Sequence, residues 1–557
     1  MKKVLIYTVS LLLAASLILS GCNIFEKGGG SDQKKIEKLE EDLSLAIFAK
    51  YNELYLSDLK SDQPELLSSS LVGKNIDKSD YRQYYSTMKE DLLKFIASKN
   101  IVIYAENYID GSAFSNTSTT FDLCVYDIKK KEKIKVDSGV LYFIYEPSGH
   151  QIFYVKDFRG EYNYSDNSTI TRSFYKYNFK ESVMLCNDSR HYAGQIMIFD
   201  GKKSVLYYDI EKNLLMLCDE NNKKSSVFDG NIELYYYSKE SDTVYFSSGG
   251  SMYKYTVGDK ALSIGEHPDG RCVGANRKGE FYYLIPENSD TDSKFSLYYF
   301  DGTTKKLDYL TDKSYFLVID TCTESGVIVD VGLGNARLLY LDNITELENG
   351  YNCLLSDDGK RVFQTIIVKT DTGHSSEDIV IYENNNGTLT EIKKIEDVRD
   401  YFFTERSRGS GKNESNKRAF LETDNEITDI YTDTKLFDKT GSSHVLKCYS
   451  DNSYAFVEHI GNRHIDGYDE ENIGDAFVES AVHYRKDNVS KKLFSDPKRI
   501  LDLEIFSESK VVYLSDHSNN GYGDLYHYNG KEKKLIDEMV TYIFPVKSLV
   551  LNHVRNN

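Results

Sequence analysis

The sequence predicts an all-β fold, and three observations lead there. Short apolar-polar alternations broken by turn residues run from Ile101 onward, tyrosine is far the commonest aromatic, and one strand-turn-strand motif recurs along the chain.

From Ile101 the turns carry Gly, Asn, Asp and Ser, and no periodic run of helical length interrupts them, which is the pattern of many short strands. Of the aromatic residues, 45 are Tyr and 27 are Phe, with no Trp. Tyrosine with β-branched neighbours suits half-buried pleated strands. At 557 residues and 40% hydrophobic content the chain can bury a large core.

The recurring motif is clearest in two copies: Leu297-Tyr298-Tyr299-Phe300-Asp301-Gly302-Thr303-Thr304-Lys305-Lys306-Leu307 is mirrored by Leu525-Tyr526-His527-Tyr528-Asn529-Gly530-Lys531-Glu532-Lys533-Lys534-Leu535. Each is a strand, an Asp-Gly or Asn-Gly turn and a return strand. Looser copies are anchored at Tyr126, Tyr177, Leu217, Tyr255, Leu341, Tyr382, Phe437 and Tyr484, giving a repeat of about 45 residues. A second hairpin falls between successive anchors, as at Tyr145–Tyr154, Tyr237–Phe246, Leu355–Phe363 and Phe506–Tyr513. Two hairpins per repeat make a four-stranded blade, so the expected fold is a β-propeller of about eight to ten repeats over 101–557. Ser356-Asp357-Asp358-Gly359 and its neighbours resemble the blade hairpin of TolB-like and WD-repeat-like propellers, with Asp where that motif has Pro. The first clear hairpin, Leu123–Ile134, and the last, Tyr542–Leu551, each lack a partner and are expected to complete one blade together, with Ile101–Tyr104 available as a further strand.

Before the repeats, Ile36, Leu39, Leu43, Ile47, Tyr51 and Leu54, and then Tyr81, Tyr84, Met88, Leu92 and Phe95, recur at intervals of three and four. This spacing predicts a short helical segment over 33–100. The chain opens with Lys2 and Lys3, an apolar run from Val4 to Leu19, and Leu19-Ser20-Gly21-Cys22. The order of parts is that of a signal peptide, and the tetrad resembles the bacterial lipobox. The resemblance implies removal of 1–21, lipidation (palmitate among the acyl chains) of Cys22, and an extracytoplasmic face of the cell membrane as the location. Residues 22–32, with Gly28-Gly29-Gly30, read as the lipidated flexible tether. The apolar run is short for a span and contains Thr8, Ser10 and Ser16. The scarcity of Pro beside abundant Lys, Asn and Tyr fits an AT-rich genome, and a Gram-positive host is expected.

Without Lys2 and Lys3 the chain carries 66 basic and 87 acidic residues, a net charge of −21. Such a surface repels phosphate backbones, which excludes nucleic acid as the natural partner. Cys124, Cys186, Cys218, Cys272, Cys322, Cys353 and Cys448 are scattered, with no C-x-x-C pair. Neither a zinc site nor a disulfide framework fits, and buried thiols are expected.

Several clusters could carry chemistry. Glu458-His459, His464, Asp466, Asp469, Glu470 and Glu471 offer imidazole and carboxylate ligands for a divalent ion in what reads as a long connection, although their spacing matches no defined zinc motif. His459, His464, Asp466 and Asp469 are the metal candidates. Asp516-His517-Ser518-Asn519-Asn520-Gly521 starts like a calcium loop, but His527 stands where a bidentate Glu belongs. Arg406, Arg408, Lys412, Lys417 and Arg418 make a cationic stretch that could meet anionic headgroups or an acidic polymer, or remain a solvated loop. Lys129-Lys130-Lys131, Lys305-Lys306 and Lys533-Lys534 recur with the repeat, which suits charges that protect strand edges.

The absence of Trp removes the sialidase and quinoprotein signatures that resemble Trp-bearing patterns, and no G-x-S-x-G is present. The functional expectation is a membrane-anchored extracytoplasmic lipoprotein whose propeller binds or scaffolds a protein, peptide or cell-surface polymer, with no cofactor and no catalytic residue assigned. The alternative is a glycan- or polymer-processing enzyme with carboxylates gathered at the propeller channel, their pKa values raised.

Overall fold

The computed structural model describes residues 45–555, apart from 62, 74–75, 78–79, 110–119, 147–149, 158–171, 188–196, 200–201, 239–242, 267–270, 276–279, 287–294, 302–303, 311–316, 322–325, 331–335, 341–342, 348–349, 357, 370–374, 397–399, 405–418, 424, 431, 440–441, 450–451, 462–476, 517–521, 547 and 550. Nearly every described element is an antiparallel strand, and the strands form ten sheets ordered almost wholly by sequence neighbours. This is the up-and-down meander of propeller blades.

One of the ten sheets has seven strands, because Glu132–Tyr145 serves two units. Its first half pairs with Thr120–Asp127 and its second with Ile152–Asp157. The strand turns at Gly139, whose φ of +69° suits glycine. Counted as two, that sheet brings the four-stranded units to eleven among the described residues.

The eleventh unit is the one whose strands come from both ends of the chain. Ala46–Lys50, Glu53–Ser57 and Glu65–Ser68 form a meander, and Tyr542–Phe544 pairs with Ile47–Ala49 as its remaining strand. One unit does draw strands from both ends of the chain, but Tyr542–Phe544 pairs with Ala46–Lys50 instead of Leu123–Ile134, and 542–551 is not the expected hairpin, since its strands join three different sheets.

This corrects the helical reading of 33–100. Among the described residues of that stretch only Tyr81–Leu92 is an α-helix, while 46–68 supply three strands and Leu93–Ile96 another to the next unit; residues 33–44 lie outside the described residues. Ala46, Ile47, Phe48 and Ala49 are all buried, so this strand is apolar on both faces and its period cannot separate strand from helix.

Of the ten anchors, Tyr126, Tyr177, Leu217, Tyr255, Phe300, Tyr382, Tyr484 and Tyr528 lie on third strands of their units. Phe437 lies on a fourth strand, and Leu341 follows the third strand Ala336–Tyr340, outside the described residues.

The sheets pack side by side, and the same contact holds several of them. In four units a tyrosine on the second strand donates its hydroxyl to the fourth strand of the preceding unit. Tyr104 reaches Leu67 O at 3.1 Å, Tyr154 the Asp137 carboxylate at 3.0 Å, Tyr207 Leu185 O at 3.3 Å, and Tyr513 the Asp496 carboxylate at 2.9 Å. A lysine from the fourth strand closes three of these clasps. Lys133 Nζ lies 3.3 Å from Leu67 O, Lys224 Nζ 2.8 Å from Leu185 O, and Lys533 Nζ 2.9 Å from Asp496. Of the recurrent lysines, Lys533 lies on an outer strand and joins sheet to sheet, whereas Lys129, Lys130 and Lys131 lie in the turn before the outer strand Glu132–Tyr145.

The Asp496 clasp is buried, so its loss is measurable. Tyr513→Phe is expected to cost about 1 kcal/mol. Asp496→Ala, which strands both a buried hydroxyl and Lys533, is expected to cost roughly 3 kcal/mol. Urea midpoints followed by circular dichroism should place the two variants in that order.

Candidate functional site

In an up-and-down meander the second-to-third and fourth-to-first connections leave from the same end of the sheets. At that end of the both-termini unit and its two neighbours, the helix Tyr81–Leu92 lies against the strands Ile101–Ile109 and Tyr542–Phe544. Tyr85 is fully buried and its hydroxyl donates to Tyr51 O. Its ring lies 5.8 Å from Tyr81, 6.1 Å from Tyr542 and 5.7 Å from Phe544. Around this centre Tyr51 packs on Tyr81 at 6.3 Å and on Tyr522 at 6.2 Å, and Tyr84 packs edge-on against Tyr108 at 6.4 Å. Tyr51, Tyr84 and Tyr522 are half-buried and present their outer surfaces to solvent. Burial raises the pKa of Tyr51, Tyr85 and Tyr542, so these phenols stay neutral.

Beside the tyrosines sits an ion cluster on the first strands of adjacent units. Lys447, on Ser442–Tyr449, bonds Asp502, on Ile500–Ser507, at 2.8 Å, with side chains only 18% and 16% exposed. Glu504, 2% exposed, lies on the same strand as Asp502. Arg82 of the helix donates to Leu501 O at 2.9 Å. Burial works against the charge of Lys447, but Asp502 and Glu504 outweigh it and raise its pKa, so the amine stays protonated. Tyr449, driven well above its usual value by burial and by Glu504, accepts the Ile505 amide at 2.9 Å.

Asp502 meets Lys447 here, and the charge of Arg82 is felt at Lys447 and Tyr542. Elsewhere Asp122 and Asp127 are held below the usual carboxylate range, because Lys135 and Lys130 outweigh burial. Neutral phenols, a protonated lysine and paired carboxylates can hydrogen-bond and ion-pair with a ligand.

Of the metal candidates, His459 lies within the strand Tyr454–Gly461 and not in a connection, while His464, Asp466 and Asp469 lie outside the described residues. Glu458 and His459 are successive strand residues and point to opposite faces. Glu458, 4% exposed, pairs with His483 at 3.3 Å. His459 Nε2 lies 3.4 Å from Ile500 O, on the side of the next unit. Among the described residues no three His, Cys, Asp or Glu side chains gather closely enough to hold a metal ion.

Cys22, the cationic stretch Arg406 to Arg418 and residues 517–521 of the calcium-like run lie outside the described residues. Cys124, Cys186, Cys218, Cys353 and Cys448 are buried free thiols. The tyrosine face was not legible in advance, since Tyr51, Tyr84 and Tyr522 are brought together by pairing between opposite ends of the chain. Tyr51 and Tyr84 stand out only as periodic positions of the expected helical segment, and Tyr522 only as part of the tyrosine excess.

No family model matches the chain, and no curated protein does. Among solved structures, the chain aligns with the tricorn protease at 10% identity and a TM-score of 0.25, covering 88% of this chain and 50% of that one. The chain therefore spans about half the length of that protein. A eukaryotic initiation factor aligns at 8% identity and a TM-score of 0.38, covering 81% of this chain and 96% of that one. The β-propeller domain of the Trilobed protease from Pyrococcus furiosus aligns at 10% identity and a TM-score of 0.23, covering 80% and 98%. The propeller assignment rests on strand order and pairing, since all three scores are low.

Burial and the charge of Arg499 lower the pKa of His459 to about 4, against the opposing pull of Ile500 O. A folded value below the unfolded one means that the unfolded chain binds the proton first as pH falls. Stability is then lost between about pH 6.5 and pH 4, by up to roughly 3 kcal/mol from this group. Urea midpoints of the parent and His459→Asn should converge as pH falls through that window. A difference unchanged between pH 7 and pH 4.5 contradicts the assignment.

Proposed function

We propose that the chain is an extracytoplasmic lipoprotein, anchored to the cell membrane through Cys22, whose units are blades of a propeller closed at the both-termini unit. Its role is to bind or scaffold a protein, peptide or cell-surface polymer. The observation that carries this reading is the tyrosine face around the helix Tyr81–Leu92: half-exposed rings held rigidly by a buried centre, beside a charge-balanced ion cluster. Such tyrosines offer large contact area at low entropic cost, with a hydroxyl for hydrogen bonding. The basic start, apolar run and Leu19-Ser20-Gly21-Cys22 support the anchor.

Closure is supported by a repeated joint. At Asp137-Ser138-Gly139-Val140 the Ser138 amide donates to Asp137, φ is positive at Gly139, and Lys156 of the next unit bonds Asp137 at 2.6 Å. At Asp537-Glu538-Met539-Val540 the Glu538 amide donates to Asp537, φ is positive at Met539, and Lys50 bonds Asp537 at 2.8 Å. The step from the last meander to the strands of residues 46–68 thus copies an ordinary step between neighbours.

In-cell cross-linking followed by affinity capture tests the reading with two variants. Cys22→Ala is expected to shift the protein from the membrane fraction to the soluble fraction. Tyr51→Ala with Tyr522→Ala is expected to leave anchoring intact while reducing captured partner or polymer at least roughly tenfold, the loss of one or two aromatic contacts. Unchanged capture by the tyrosine variant refutes this face as the binding surface, and membrane retention of Cys22→Ala refutes the anchor.

A further inference from the structure

A four-stranded meander leaves two edges without a backbone partner, those of its first and fourth strands. Among the described residues two neighbouring units depart from this. Asp400–Thr404, the first strand of one unit, pairs antiparallel with Leu551–Arg555, matching Asp400 with Arg555 and Thr404 with Leu551. Ser442–Tyr449, the first strand of the next, pairs with Ser548–Leu549, matching Cys448 with Leu549 and Tyr449 with Ser548. Both added strands belong to the segment that follows Tyr542–Phe544, and each makes its sheet five-stranded.

We propose that these two adjacent edges are a docking site for an extended peptide strand, and that Ser548–Leu549 and Leu551–Arg555 are a self-ligand occupying it. The inference rests on backbone geometry and is independent of the tyrosine face and of the anchor. An exposed strand edge is a template for main-chain pairing, and peptides bind such edges by adding a strand. The edges already accept a strand here, which identifies the ligand chemistry: an extended polypeptide running antiparallel to residues 400–404.

The segment is also suited to leave. Tyr542–Phe544 sits inside a sheet, and Ile543 and Phe544 are 2% and 0% exposed. The pairing beyond it is divided between two sheets, five residues on one and two on the other. Removing 548–555 would uncover two edges while leaving the both-termini unit with its four strands. The Ser548–Asn557 sequence, SLVLNHVRNN, supplies β-branched and apolar residues suited to a strand and carries Arg555 as its only formal charge with His neutral.

Two measurements decide the matter. In the full chain, hydrogen exchange followed by mass spectrometry should find amides of 400–404 and 551–555 exchanging at least roughly tenfold faster than those of 47–49 and 542–544, as a separately opening segment requires. Equal protection overturns displaceability. A fluorescent peptide of residues 548–557 should bind a chain ending at 547, raising its anisotropy saturably, and should bind the full chain at least roughly tenfold more weakly because the site is filled. The same peptide with N-methylated alternate amides should not bind. Failure of the unmodified peptide to bind a truncated chain of native circular dichroism, or equal binding to both chains, overturns the proposal. If the truncated chain does not fold, the exchange measurement still decides, and a slow, globally coupled exchange of 551–555 counts against it.

Discussion

The structure depends on the packing of each sheet against the one before it. A four-stranded meander buries both faces only if a neighbour covers each, so its second strand is apolar on both sides. Val102 to Ala105, Ile152 to Val155, Val205 to Tyr208 and Val511 to Leu514 are buried throughout. A tyrosine in each of these runs extends past the apolar layer to meet the preceding unit's fourth strand. Phenylalanine would fill the same volume and leave the carbonyl or carboxylate at the far end poorly satisfied. That requirement, met in four of the units, gives a physical reason for tyrosine over phenylalanine at these positions.

The lysines follow from the same packing. A fourth strand has no further strand beside it, and charge there discourages pairing with foreign strands. Lys133, Lys224 and Lys533 also turn back to the acceptor already used by the tyrosine of their own unit. Lys133 lies 5.9 Å from the centre of the Tyr104 ring and Lys533 6.0 Å from that of Tyr513, so the cation gains a ring face along with the oxygen. Lys130, 67% exposed and paired only with Asp127 three residues away, shows the contrast: it guards the turn and joins no sheets.

Much of this was legible in the sequence. The Asn-Gly turn after Tyr528 marks a step from third to fourth strand, although other such steps, as at 219–223, are longer, and the hairpins Tyr145–Tyr154 and Leu355–Phe363 do mark the step from first to second strand. What was not legible were features set by distant partners. Ala46–Lys50 pairs with Tyr542–Phe544, nearly 500 residues away, and its all-apolar pattern carries no strand period. Phe437 was one strand out of phase because its unit places the chain reversal after Asp429, where no Asp-Gly or Asn-Gly marks it. Glu458 and His459 looked like joint ligands while they were read as a connection; in a strand, adjacency is what separates them.

The placement of charge beside the tyrosine face fixes the protonation of Tyr449 and Lys447. General acid-base catalysis works best with a group whose pKa lies near the working pH. Here burial and Glu504 drive Tyr449 upward, and Asp502 and Glu504 drive Lys447 upward, so both keep their protons at any physiological pH. Asp502 in turn is committed to Lys447 at 2.8 Å. A cluster so compensated holds the first strands of adjacent units in register without offering a proton to a substrate. It keeps the walls fixed while the half-exposed rings of Tyr51, Tyr84 and Tyr522, supported by the fully buried Tyr85, supply the contact area. Rigidity of that kind lowers the entropy that any association at this face would lose.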